Sequence, residues 1–176
     1  MIKNKLALNL HTPNGVNAIF IDKELAFLLK KAGFVEIRLG LETTSQRLQK
    51  ATGKKIENAT LKKVIAWLKE VGFPANKIAV YLLMGLAGQS FEEIKDSIIY
   101  AHRLGVRVYL EEYSPVPGTV EFKRAGLSED LDPLWHNNSV FPLYKGKENY
   151  LKFQKLKDLN HALNLAIDNC PKFRFA

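Results

Sequence analysis

Apolar positions recur along this chain in two rhythms, period two and period three to four, and the switches between them divide it into strands and helices. Residues 5–10 (KLALNL) read as a strand, followed by the loop HTPNGVNA and a helix over 22–31. Asp22 is placed to cap that helix and Gly33 to end it. Residues 35–42 (VEIRLGLE) form the next strand, and a short helix over 45–51 stops at Gly53. A longer helix over 59–71, with Asn58 as its cap, carries Leu61, Val64, Ile65, Leu68 and Val71 on one stripe. Residues 78–84 (IAVYLLM) are a third strand leading into the turn GLAGQ. Ser90 and Glu93 then have the spacing of a capping box for a helix reaching 104. The fourth strand, 106–112, is stopped by SPVPGT, because Pro115 and Pro117 cannot continue a central ladder. After an irregular stretch over 125–147, a last helix over 149–168 places Leu156, Leu159, Leu163 and Ala166 on one stripe.

Four strands alternating with helices predict an α/β fold built on parallel βα units. Right-handed crossovers on a curling sheet make this a partial parallel (β/α) barrel with a C-terminal helix. The expected division is a barrel portion over residues 1–125, with 126–176 an irregular segment and helix packed on it.

Strand alternation also sorts the side chains by face. Ile37, Leu39 and Leu41 oppose Arg38, Gly40 and Glu42; Val106, Val108 and Leu110 oppose Arg107, Tyr109 and Glu111. With the aliphatic faces packed on helices, Asn9, His11, Arg38, Glu42, Tyr81, Arg107, Tyr109 and Glu111 gather on one concave surface. Buried charge is costly unless paired or used on a ligand, so this inventory points to a ligand-binding lumen. The alternative is internal pairing, Arg38 with Glu42 and Arg107 with Glu111. Polar residues also crowd the C-terminal strand ends (His11, Asn14, Glu42, Gln89, Glu112), where parallel α/β folds place their sites.

Composition narrows the chemistry. A single cysteine, Cys170, excludes an internal disulfide and a multi-cysteine metal site within one chain. No apolar run approaches the roughly 20 residues that span a bilayer, and a cytoplasmic setting is expected, with no membrane partner. The net charge of +8 permits RNA as a partner, although the lysines are spread along the chain, as on solvated helix faces. His102 and His161 fall within helices and are expected to face solvent, without the i, i+4 partner of a helical metal site.

Four segments in order, HTPNGV, IRLGLETTSQRLQKATGKK, IAVYLLMGLAGQSFEEI and YLEEYSPVPGT, resemble the radical SAM superfamily, in the branch of methylthiotransferases and anaerobic coproporphyrinogen oxidase. The likeness covers roughly residues 5–125, and the following DPLWHNNSVFPLYKGKE resembles sequences that follow this barrel in bacterial members, some with an upstream cobalamin-binding domain. The resemblance implies a partial barrel that binds S-adenosylmethionine beside a 4Fe–4S cluster held by C-x-x-x-C-x-x-C. Carried onto this sequence, Glu42 closes a strand beside S-adenosylmethionine, and Lys54 stands where many members place an arginine toward its carboxylate. Gly85 to Gln89 match the family's GLPGQ with Ala87 for proline, and Pro117 and Gly118 lie in the segment passing near adenine. His11 and Asn14 match the lumen-facing end of an earlier strand; Arg38 and Glu111 join them as lumen candidates.

The same resemblance exposes a departure. The sequence begins at about the family's third strand, so the cluster loop and the G-G-E segment that meets the cofactor's amine have no counterpart. One cysteine cannot replace three cluster thiolates. The expectation is a C-terminal portion of a radical SAM enzyme, inactive alone, with an open strand edge near residues 5–10 and a partner supplying the missing strands. The alternative is a non-catalytic half-barrel serving as a binding or assembly module, with RNA as one candidate ligand.

Overall fold

The aliphatic rows hold the sheet against its helices. Ile37, Leu39 and Leu41 of β3 (Phe34–Glu42), Ile78, Val80 and Leu82 of β4 (Ile78–Met84) and Val108 of β5 (Arg107–Glu112) are all buried. The computed structural model describes residues 8–53, 56–135 and 147–169. Among the described residues every strand pairing is parallel, and the order runs from β1 (Leu10–His11) through β3 and β4 to β5. β1 and β2 (Val16–Asn17) both pair with β3, at its start and further along, as two pieces of an interrupted strand. The architecture is the partial parallel (β/α) barrel expected from the pattern. Of the strand expected over 5–10, residues 5–7 lie outside the described residues, and the pairing instead extends into the segment read as loop.

The crossovers are α1 (Lys23–Lys31), α3 (Asn58–Glu70) and α4 (Phe91–Arg103), with short α2 (Gln46–Ala51) after β3. Asp22 caps α1 by accepting from Leu25 N–H at 2.7 Å, and Ser90 and Glu93 close the expected capping box on α4. Leu61, Val64, Ile65 and Leu68 of α3 are buried, each stabilising the fold by about 1.5–3 kcal/mol. Asn58 does not cap α3. Glu57 occupies the cap position, while the Asn58 amide donates to Thr44 O and accepts from Gln49 Nε2, tying α3 to the β3–α2 loop.

The C-terminal region departs further from the pattern. SPVPGT does not simply end β5; Thr119 caps a six-residue helix, α5 (Val120–Ala125), anchored by buried Phe122. On α6 (Lys147–Asn169) the buried positions are Phe153, Leu156, Asn160 and Ile167, rotated from the predicted leucine stripe. The rotation has a cause. Lys157, Asn160, Asn164 and Asp168 share one face at i, i+3, i+7 and i+11 and run along the outer edge of β5. Lys157 pairs with Glu112, Asn160 and Asn164 donate to Val108 O, Asn164 Oδ1 accepts from Val108 N–H at 2.9 Å, and Asp168 meets Arg107 at 3.6 Å. The Asn164 amide thus takes the place of a neighbouring strand. His102, expected at the surface, is fully buried in the same cluster, with Nδ1 2.8 Å from Ile98 O and Nε2 3.2 Å from Asn164 Oδ1. Burial lowers its pKa below the usual histidine value, against the opposing pull of those two hydrogen bonds. No described helix is long and apolar enough to cross a membrane.

Candidate functional site

Across the concave face the register stacks side chains in rows. Arg38, Ala79 and Arg107 are paired neighbours, and Gly40, Tyr81 and Tyr109 form the next row toward the C-terminal ends. The lower row is already engaged. Arg38 Nε donates to Glu36 at 2.5 Å and its Nη1 donates to Tyr81 Oη at 3.0 Å. Its guanidinium lies 4.4 Å from the Tyr109 ring centroid, a cation–π distance. Tyr81 in turn donates to Pro13 O at 3.1 Å, and Thr12 Oγ1 accepts from Arg38 N–H at 2.9 Å. The hydrogen bonds to Glu36 and then Tyr81 raise the Arg38 pKa, so the charge is permanent. The internal pairing is therefore Arg38 with Glu36 and Arg107 with Asp168, not with Glu42 and Glu111. Alternation favours this: residues two apart on a strand share a face, and Glu36 is two from Arg38.

Above this floor a cleft of about 420 Å³ opens, lined by Gly15, Val16, Asn17, Gly40, Glu42, Tyr81 and Leu83. Two glycines shape it. Gly15 packs against Gly40, where a Cβ would come within 3.0 Å of Gly40 N. A Cβ on Gly40, by contrast, would meet none of the described residues within 4 Å. Glycine inside a strand marks a bulge or the close approach of another backbone or a ligand, and at Gly40 the Gly15 backbone packs alongside and a register slip follows.

Glu42 closes β3 with φ at +72°, a conformation costing a non-glycine residue about 1–3 kcal/mol. The register slips between Gly40 and Glu42, with Gly40 opposite Tyr81 but Glu42 opposite Leu82, a bulge that re-aims the carboxylate. Glu42 and Leu83 also line a second cleft of about 330 Å³ with Thr52, Leu86, Tyr113, Glu121 and Arg124. There burial, then the nearby Glu121 and Glu42 carboxylates, raise the Tyr113 pKa. Helix α5 is held over this cleft by Arg124, which donates to Ala51 O at 2.7 Å and pairs with Glu121.

The expected site residues are placed unevenly. Glu42 lines both clefts, and Arg38 and Glu111 sit on the concave face, Arg38 in the floor and Glu111 exposed. Gln89 is buried inside its own turn, accepting from Gly85 and Leu86 N–H and donating to Leu83 O. Arg47 braces that turn from α2 through Gly88 O and Glu93. His11 and Asn14 are exposed near β1 and β2, Pro117 and Gly118 lie exposed before α5, and none of the four lines either cleft. Lys54 and Cys170 lie outside the described residues. Tyr113, Glu121 and Arg124 were not singled out by the sequence; the Thr119 cap followed by VEFKRA was the available signal for the helix that delivers the last two.

A profile of the radical SAM superfamily matches residues 3–108. The oxygen-independent coproporphyrinogen III oxidase of Synechocystis is 26% identical over 93 residues, covering 53% of this chain and 20% of that protein. Coproporphyrinogen III oxidase from Escherichia coli, described as a radical SAM enzyme, superposes with a TM-score of 0.62 at 15% identity, over 85% of this chain and 31% of its own. The chain thus spans about a fifth to a third of the length of these relatives. With a profile match over most of its length and a parallel half-barrel of the same fold, this chain belongs to the radical SAM superfamily.

Proposed function

We propose that this chain forms the S-adenosylmethionine-facing and substrate-facing wall of a radical SAM barrel, and that the iron–sulfur cluster is held by another stretch of polypeptide. The observation that carries this reading is Gly40, whose missing side chain leaves a 420 Å³ cleft open between Glu42, Tyr81 and the Gly15–Asn17 segment. The strained Glu42 carboxylate faces both clefts and is placed to accept hydrogen bonds from a polyhydroxylated or cationic ligand. Gly15 and Gly40 let backbone approach the ligand closely, and the Arg38–Tyr81–Tyr109 floor closes the cleft from below. Arg47 and Gln89 keep the GLAGQ turn in shape at its rim. Bound there, S-adenosylmethionine supplies radical chemistry; this chain's residues bind it, orient it and line the space beside it.

The cluster does not fit this chain. A 4Fe–4S centre of this kind needs three thiolates, and the sequence has one cysteine. Anaerobic reconstitution with iron and sulfide, followed by electron paramagnetic resonance after reduction, tests this part directly. The chain alone gives no 4Fe–4S signal; a stable signal that responds to added S-adenosylmethionine overturns the assignment.

A further inference from the structure

The lysines come singly or in pairs, yet the net charge is not evenly shared. Residues 43–77 hold eight of the chain's 26 Lys and Arg but two of its 18 Asp and Glu, so this fifth of the sequence carries +6 of the net +8. In the fold the segment is α2, α3 and the turns around them. Lysines that only solvate a helix come with carboxylates, as on α6, where four lysines accompany three acidic residues and Lys152 pairs with Glu148. On α3, Lys62 and Lys63 are exposed; among the described residues they, Lys50 of α2 and Lys77 beyond α3 enter no ion pair. Beside these lysines, between α2 and the start of α3, a cleft of about 380 Å³ is lined by Gln46, Gln49, Lys50, Glu57, Asn58 and Ala59. Gln49 is 6% exposed and spends its Nε2 on Thr43 O and Asn58 Oδ1; its Oε1 meets no described partner and is left to the cleft. Glu57, the cap residue of α3, makes no side-chain hydrogen bond to the first-turn N–H groups, and Ala59 of that turn lines the same cleft.

We propose that this surface binds single-stranded RNA, with Lys50, Lys62 and Lys63 on phosphates and one unstacked nucleotide in the cleft between α2 and α3. Three features select this occupant. Lysines without a carboxylate partner on an exposed face take phosphodiesters and release their counterions. None of the large apolar side chains of the described residues between 43 and 77 is exposed. The surface therefore lacks the apolar anchors of a protein interface or of a helix that lies in a membrane surface. The cleft itself is lined by amides and one carboxylate beside a single lysine, which suits hydroxyl and base-edge groups better than a second phosphate. An unstacked nucleotide presents such groups, and its 2′-hydroxyl, both donor and acceptor, separates RNA from DNA. The cleft shares no residue with the two clefts beside Glu42, so this site is independent of S-adenosylmethionine binding.

Fluorescence anisotropy with the full chain and a labelled single-stranded RNA of about ten nucleotides tests this, with DNA of the same sequence alongside. The expected result is RNA binding that weakens as salt rises from about 50 to about 200 mM, and at least about tenfold weaker binding of the DNA. Lys50→Gln with Lys62→Gln and Lys63→Gln changes three exposed positions and leaves the core intact. That variant should bind RNA at least about tenfold more weakly, with the salt slope reduced by about 2, at about 0.7 per lost phosphate contact. As a control on α6, Lys152→Gln with Lys155→Gln should leave RNA affinity within about twofold, being outside screening distance of the cleft. Ala59→Trp fills the cleft from an exposed helix position and should erase the preference for RNA over DNA. No binding at about 50 mM salt, equal binding of the DNA, or an equal loss in the α6 variant overturns the proposal. So does a preference for RNA that survives Ala59→Trp, or comparable binding to phosphatidylserine vesicles or to polyglutamate.

Discussion

The two faces of one sheet show how the same strands serve two purposes. On the outer face Ile37, Leu39, Ile78, Val80 and Leu82 are buried against helices and identity is interchangeable within volume limits. On the inner face, one residue along, Arg38, Tyr81, Arg107 and Tyr109 stand around Gly40, half-exposed and committed to particular partners. On the proposed function, stability resides in one face and ligand binding in the other, and substitutions on the two should separate these quantities.

The largest loss of stability is expected on the outer face. Leu39→Ala or Leu82→Ala removes buried volume from a site with no exposure and should cost about 2–5 kcal/mol in denaturant unfolding. A cost below about 1 kcal/mol would mean the face is not packed as described. Next comes the sealed edge. Asn164→Leu strands the Val108 N–H, while the Val108 carbonyl keeps its bond from Asn160, and should cost about 1–3 kcal/mol. It should also speed amide exchange at Val108 more than at Val80; unchanged exchange at Val108 would contradict the strand-like role of that amide.

His102 gives a smaller, pH-dependent effect in the same cluster. Its folded-state pKa is depressed, so the unfolded chain binds the proton more readily. Its contribution is fully present above the ordinary histidine pKa of about 6.5 and is lost as pH falls through the lower, folded value. Unfolding curves at pH 7.5 and 5.5 should show wild type losing more stability than His102→Leu over that interval; equal losses would remove His102 as the cause. Smallest of all is the effect of Gly40→Val on stability, within about 0.5 kcal/mol, because the new side chain enters open space. That same substitution fills the cleft, so it should separate ligand binding from stability.

Much of the fold was legible because its period-two and period-3.6 patterns are undisturbed: β4 was read at its observed bounds, and the Asp22 and Ser90 caps stand where their spacing put them. Reading failed where polar groups do structural work. The face of α6 that follows β5 is Lys157, Asn160, Asn164 and Asp168, and a search for apolar stripes slides past it to the leucines. His102 was misplaced for the same reason, since its burial depends on Asn164, 62 residues away. On the inner face, alternation found Arg38, Glu42 and Tyr81, but not the bulge that turns Glu42 or the fold-back of α5 that brings Glu121 and Arg124 beside it. Those depend on backbone geometry that residue identity alone leaves open.

On the proposed function, the cleft beside Gly40 receives S-adenosylmethionine. Two-dimensional amide NMR of the isotope-labelled chain, titrated with S-adenosylmethionine, tests it most directly. Shifts are expected at residues 15–17, 40–42 and 83, with none on the outer face of α1, and they should be lost in a Gly40→Val chain that remains folded. Shifts that are absent, that map elsewhere, or that persist unchanged in Gly40→Val would contradict it.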